Sequence, residues 1–142
     1  MPRFFDTNVL FYACDPTDLA KQQMAQTLIA SASNLQDGVV SVSVLGEFFT
    51  AIVLGKNKRL TAQEAEGFIT NYAANLEVVP VEWELVPKAI AIHRRFQTSY
   101  FDSLHLAAAA HHGCGEIWSE DLTDGQDYGG VVARNPFKGA PP

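Results

Sequence analysis

Arg3-Phe4-Phe5-Asp6-Thr7-Asn8 carries the pattern on which the fold turns: a three-residue strand candidate, Arg3 to Phe5, that stops at a carboxylate. Similar short strands recur along the chain. Val39 to Val42 is a β-branched run of the kind that fills a buried strand, set off by an Asp37-Gly38 turn. Glu77 to Val81 is a strand interrupted by Pro80, and Glu116 to Ser119 and Gly130 to Ala133 are two more candidates.

Helical patterns fill the intervals. Asp15 is placed to cap a helix with Pro16 at its first position, and Met24, Leu28 and Ile29 give Ala20 to Ala32 its helical spacing. Ser43 is placed to cap the next, whose apolar face is Val44, Leu45, Phe48, Phe49, Ile52 and Val53, with Gly55 at its end. Lys56-Asn57-Lys58-Arg59 forms a charged loop, and Thr61-x-x-Glu64 is a capping box opening another helix. Trp83 to Phe96, with Pro87 near the first turn, and Ser99 to His112, rich in small residues at Ala107 to Ala110, complete the set; Gly113 and Gly115 stop the last. Short buried strands alternating with helices predict an α/β sandwich around a central, mostly parallel sheet, in a single domain spanning 1–142 with a flexible tail at 139–142.

Composition agrees and narrows the function. The chain has 142 residues, 47% hydrophobic and 18% charged, which is globular. No apolar run, Leu106 to Ala110 included, approaches the ~20 residues of a membrane helix. Asp6 and Asn8 break any secretory apolar stretch near the start, so a soluble cytoplasmic protein is expected. Cys14 and Cys114 have no metal-ligand spacing and are expected as free thiols. A net charge of −6 argues against a general nucleic-acid coat. It leaves open an enzyme that gathers carboxylates around a cation and thereby reverses the local field.

In a parallel α/β sheet, ligands bind at the carboxyl ends of the strands. Asp6 follows the first strand, Glu47 lies early in the helix after the second, and Asp121 follows Glu116 to Ser119. Asp102 joins them if its helix begins near Ser99. Any one of these could be only a helix cap, but four at corresponding places suggest a site. Without them, twelve acids face ten basic residues, so the rest of the chain is nearly balanced. Clustered carboxylates raise one another's pKa unless a cation intervenes, and hard oxygen ligands point to Mg²⁺ or Mn²⁺ rather than zinc. Such a site suits phosphodiester hydrolysis.

Four blocks carry a family resemblance: Phe4-Phe5-Asp6-Thr7-Asn8-Val9-Leu10, Ser43-Val44-Leu45-Gly46-Glu47-Phe48, Tyr100 to Ala109 around Asp102, and Trp118-Ser119-Glu120-Asp121-Leu122. In order and spacing they resemble the PIN-domain ribonucleases, specifically the VapC-type toxins of bacterial toxin–antitoxin pairs, and Val131 to Phe137 looks like that family's last strand and exit. The resemblance implies a PIN-like three-layer sandwich with about five strands and a Mg²⁺- or Mn²⁺-dependent endoribonuclease. Asp6, Glu47, Asp102 and Asp121 would be the catalytic and metal-binding residues, supported by Asn8, Thr7, Ser43 and Ser119. Ser119 stands where the family often has Thr, and Ser103 where Ala is common. Asp121 fits the motif's spacing best for the fourth acid, with Glu120, Asp124 and Asp127 close by. The resemblance also implies a VapB-like antitoxin partner and a homodimer.

Other residues are weighed against plainer roles. His105, three positions after Asp102, is expected as a core or supporting histidine before a metal ligand, and His111 and His112 as helix-end residues. Arg94, Arg95, Lys56, Lys58 and Arg59 could hold RNA phosphates or simply be solvated. Phe48, Phe49, Tyr72, Trp83 and Phe96 are expected in the core or a partner groove, not as base-stacking platforms. Three competing functions remain. A receiver-type phosphoacceptor would need a Lys after a strand, and no strand candidate ends in one. A haloacid-type phosphatase would need a second Asp where Asn8 stands. A non-catalytic PIN-like binding module would keep the fold without the chemistry.

Overall fold

β1 (Arg3–Phe5) lies at the centre of the sheet, because Phe4 and Phe5 are wholly buried and can pair on both sides. The computed structural model describes residues 1–56 and 58–138. After β1 come α1 (Thr7–Ala13), α2 (Leu19–Leu35), β2 (Gly38–Ser41) and α3 (Val42–Phe49), which runs on into a π-helical turn, Thr50–Leu54. There follow α4 (Ala62–Asn75), β3 (Glu77–Val79), α5 (Leu85–Phe96), α6 (Tyr100–His111), β4 (Glu116–Trp118) and β5 (Val132–Arg134). The strand order is β3-β2-β1-β4-β5, with every pair parallel. Arg3 sits opposite Gly38 on one side and Glu116 on the other.

That order dictates the layers. The chain crosses from β1 to β2 to β3 in one direction, then returns over the sheet to β4 on the far side of β1. With right-handed crossovers, α1 to α4 cover one face and α5 and α6 the other. In keeping with this, α1 packs on α2 and α3, α3 on α4, and α5 on α6. The strand order reverses between β1 and β4, and a crevice opens at their carboxyl ends at such a switch point. Asp6 N–H donates to Trp118 O at 3.0 Å and closes the top of the two strands together.

The core explains the short strands. All four residues of β2 are buried, as both-face burial of a parallel sheet requires. A Cβ on Gly38 would lie 2.6 Å from Leu76 Cδ2 and 2.9 Å from Ala32 Cβ, so only glycine lets α2 and Leu76 close over the strand. Ala107, Ala108 and Ala109 are buried and let α6 approach closely. Cys14 and Cys114 are free and buried. Cys14 Sγ lies 3.1 Å from Tyr72 Oη, which donates to Leu10 O at 3.0 Å. Burial pushes the Cys14 thiol up and takes Cys114 to about 11, which leaves both inert as nucleophiles. Among the described residues, no helix is long and apolar enough to cross a membrane.

Several local expectations are corrected. Helix α1 was not anticipated, because Asn8 breaks the apolar run; Asp6 caps it instead, accepting from Thr7 N–H at 2.7 Å, and Val9, Leu10 and Ala13 bury its inner side. Asp18, not Asp15, caps α2, accepting from Lys21 N–H; Asp15 makes an Asx turn onto Thr17 and pairs with Arg59. Ser41, not Ser43, caps α3, since Val42 is already helical and the Ser41 hydroxyl accepts from Val44 N–H. Gly38 belongs to β2 rather than to a turn. Trp83 is 74% exposed rather than in the core, because it precedes α5 and Leu85 takes the inward position. The Thr61–Glu64 capping box forms as expected. Asn57 of the charged loop and the tail at 139–142 lie outside the described residues.

Candidate metal centre

The carboxylates converge where the strand order reverses. Asp6 stands between β1 and α1, Asp102 in the first turn of α6, and Asp121 two residues beyond Ser119 in the loop after β4. One oxygen from each lies within 4.8 Å of the other two. Asp6 is buried, Asp102 half-buried and Asp121 at the exposed mouth. Asp6 caps α1, and Asp102 sits where Ser99 caps α6, so two helix N-termini offset part of the negative charge.

A hydrogen-bond network fixes the acids. The wholly buried Ser119 hydroxyl donates to Asp6 Oδ2 at 2.7 Å and accepts from Asp121 N–H at 3.0 Å and Asn8 Nδ2 at 3.3 Å. Asn8 Nδ2 also reaches Asp121 Oδ2 at 3.2 Å, and Asn8 Oδ1 accepts from Glu120 N–H at 3.4 Å. Asn8 and Ser119 therefore do bridge two of the acids. The neighbouring carboxylates take other work. Asp124 accepts from Asn135 N–H and pairs with Lys138, Asp127 accepts from Gly130 N–H, and Glu120 pairs with Lys21 at 2.9 Å. Asp121 is thus the member of that group that enters the cluster.

Glu47 stands at the edge of the cluster. Its Oε2 accepts from Thr7 Oγ1 at 3.4 Å, and its Oε1 lies 2.9 Å from His105 Nε2. His105 Nε2 is also 3.6 Å from Asp6 Oδ1. The ring is 1% exposed, packs on Phe4, and is not aligned for a hydrogen bond at either nitrogen, so its pairing with the carboxylates is electrostatic. Burial pulls its pKa down, but Glu47, Asp6 and Asp102 outweigh this and hold it above the ordinary value. His105 lies buried between two of the acids. Ser43, by contrast, makes no side-chain hydrogen bond to the acids among the described residues; the capping hydroxyl is that of Ser41.

The acids feel one another. Burial and then the Asp6 carboxylate push Asp102 up; burial and Asp6 do the same to Asp121, against the Asn8 amide that lowers it. These are oxygen donors carrying more negative charge than their surroundings neutralise, which is the donor set of a hard divalent cation.

The sequence pattern of the PIN domain family matches residues 3–123. This chain belongs to the PIN domain family. Solved structures match this chain over most of its length and of theirs. The VapC20 toxin of Mycobacterium tuberculosis, described as cleaving the sarcin–ricin loop, matches with a TM-score of 0.65 at 22% identity over 89% of this chain and 92% of that one. A toxin–antitoxin complex from Klebsiella pneumoniae matches with a TM-score of 0.61 at 17% identity, covering 94% of this chain and 97% of that one. VapBC2 of Rickettsia felis, bound to a DNA fragment from its promoter, matches at 0.65 and 13% identity over 95% and 98%. Among curated proteins, none matches the sequence.

Of the basic residues singled out, Arg94, Arg95, Lys56 and Lys58 are exposed. Arg59 is held by Asp15 at 3.0 Å and fastens the π-helical turn through its N–H to Ile52 O at 2.8 Å. One structural link had no signal in the sequence. Lys21 Nζ, 4.4 Å above the Tyr12 ring, pairs with Glu120 and ties α2 to the loop carrying Asp121 across 99 positions.

Proposed function

We propose that this PIN domain is a VapC-type endoribonuclease toxin of a toxin–antitoxin pair, dependent on Mg²⁺ or Mn²⁺, cytoplasmic, homodimeric, and neutralised by a VapB-like antitoxin. One observation carries the proposal: three carboxylate oxygens within 4.8 Å at the switch point of a PIN fold. Toxin–antitoxin complexes among the structural neighbours support the partner.

Asp6, Asp102 and Asp121 would hold the cation, with Glu47 adding a fourth charge from the edge. A divalent cation there supplies polarisation of a phosphoryl oxygen and activation of a water. The protein's own part is to hold the site open and correctly charged. Ser119 and Asn8 keep Asp6 and Asp121 aimed at one point. His105 and Thr7 keep Glu47 beside them. Arg94, Arg95, Lys56 and Lys58, exposed and in no ion pair among the described residues, would meet RNA phosphates outside the acidic pocket.

The test is induced expression without a partner, beside Asp102→Asn, with growth followed and new 5′-phosphate RNA ends sequenced. Growth arrest with discrete ends is expected from the native chain. Asp102→Asn is expected to retain its fold and lose activity by about 100-fold or more, since even outer-shell changes at metal sites cost 10- to 100-fold. A fully active Asp102→Asn protein would overturn the mechanism.

A further inference from the structure

Two aromatic residues immediately precede Asp102 in the first turn of α6, and both are exposed. Tyr100 is 37% and Phe101 56% exposed, in the same first turn of α6 as Asp102. Phe101 and Asp102 are consecutive, so their Cα atoms are about 3.8 Å apart. The rings meet edge to face, 5.2 Å between centroids at 79°, so each fixes the other's orientation. Inward-facing positions of this helix start at Ser103 and Leu104, so neither ring is needed to fill the core. A pair of adjoining exposed rings next to a candidate active-site residue suits an interaction site.

Charge nearby indicates what it is. Arg94 and Arg95 lie in the last turn of α5, one short connection before Tyr100, and form no ion pair among the described residues. Arg95 lies over the Phe96 ring at 4.7 Å, which holds one guanidinium in place. Exposed rings, exposed guanidinium groups and a carboxylate cluster for a cation therefore follow one another over nine residues. Flat neutral faces flanked by cations match a single-stranded nucleic acid, whose bases offer π-faces and whose phosphates offer charge. In a duplex those faces are already stacked on their neighbours.

We propose that the Phe101 ring, braced edge-on by Tyr100, is a stacking platform for an unpaired RNA base next to the phosphate engaged at the acid cluster, with Arg94 and Arg95 holding a neighbouring phosphate. The platform selects for single-stranded presentation rather than for one base, since every base has a π-face. This rests on the ribonuclease reading and names the substrate feature that reading leaves open.

The test uses the full chain with Ca²⁺ in place of Mg²⁺ and a mixed-sequence single-stranded RNA carrying 2-aminopurine, whose fluorescence reports stacking. Native protein is expected to shift that signal, and the same RNA annealed to its complement is not. Phe101→Ala is expected to weaken binding by about 5- to 150-fold, the range one stacked base supplies, and Tyr100→Ala by less, since Tyr100 acts by bracing Phe101. Phe101→Trp is expected to retain both affinity and signal, and melting curves check that each variant folds. If both alanine variants bind and report like the native chain while Asp102-dependent cleavage persists, the platform is wrong and the ribonuclease stands. If they instead turn a dimer into monomers with RNA affinity unchanged, the rings are an interface between copies and the proposal falls. If no RNA is bound or cleaved by any form, both readings fall together.

Discussion

At the residue scale, Ser119 has more depending on it than any of the acids it serves. Its buried hydroxyl is donor to Asp6 and acceptor for Asp121 N–H and Asn8. Removing one such group leaves buried partners unsatisfied, at a cost of about 1–3 kcal/mol. Ser119→Ala is therefore expected to lower the melting temperature by several degrees and weaken activity, whereas Ser119→Thr keeps the hydroxyl; an unchanged Ser119→Ala melt would refute the network. Asp6, Asp102 and Asp121 were legible in the sequence because each follows a strand or opens a helix, and Glu47 because it lies in the helix after the second strand. The choice of Asp121 over Asp124 and Asp127 rests on structure, since those two are taken by Asn135, Lys138 and Gly130. His105 showed only its helical spacing from Asp102; its place between Glu47 and Asp6 depends on residues far away in the chain.

At the scale of elements, the boundaries moved by a residue or two, and the consequences are measurable. Ser41 caps α3 from the last position of β2, so Ser41→Ala is expected to cost about 1 kcal/mol and Ser43→Ala no more than about 0.5 kcal/mol in denaturant melts. The reverse order would restore Ser43 as the cap. Gly38→Ala forces a Cβ to within 2.9 Å of Ala32 Cβ, a buried atom with no rotamer to turn aside, and is expected to destabilise by about 1–3 kcal/mol; a neutral result would show that α2 shifts freely over the sheet. Strand and helix types were readable from β-branched runs, the Thr61–Glu64 box and the glycine stops. Helix α1 was not, because its seven residues are too few to establish a period and begin with the polar Thr7 and Asn8.

At the scale of the whole molecule, the acid cluster makes stability depend on pH and on metal. Asp102 and Asp121 are raised in the folded protein, so folding takes up protons on them; this contribution is fullest below the ordinary carboxylate pKa and is lost as pH rises through the folded values. His105 is also raised, so its contribution is full below about 6.5 and is lost above its folded value. The signs agree. In chelator the protein is expected to melt higher near about pH 5 than near about pH 8, and saturating Mn²⁺ to raise the melt most at the higher pH, by calorimetry. A metal-free melt that rises with pH would contradict the cluster's electrostatics. By itself the sequence determined the α/β class, the short buried strands and which carboxylates stand at strand ends, because periodicity, capping and turn residues are local physics. Only the tertiary structure decided which oxygens meet within 4.8 Å, that Glu47 pairs with His105 at the edge, and that Tyr100 and Phe101 are left in solvent. Those outcomes follow from strand order and helix packing, which bring together residues more than a hundred positions apart and leave no mark in any short stretch of chain.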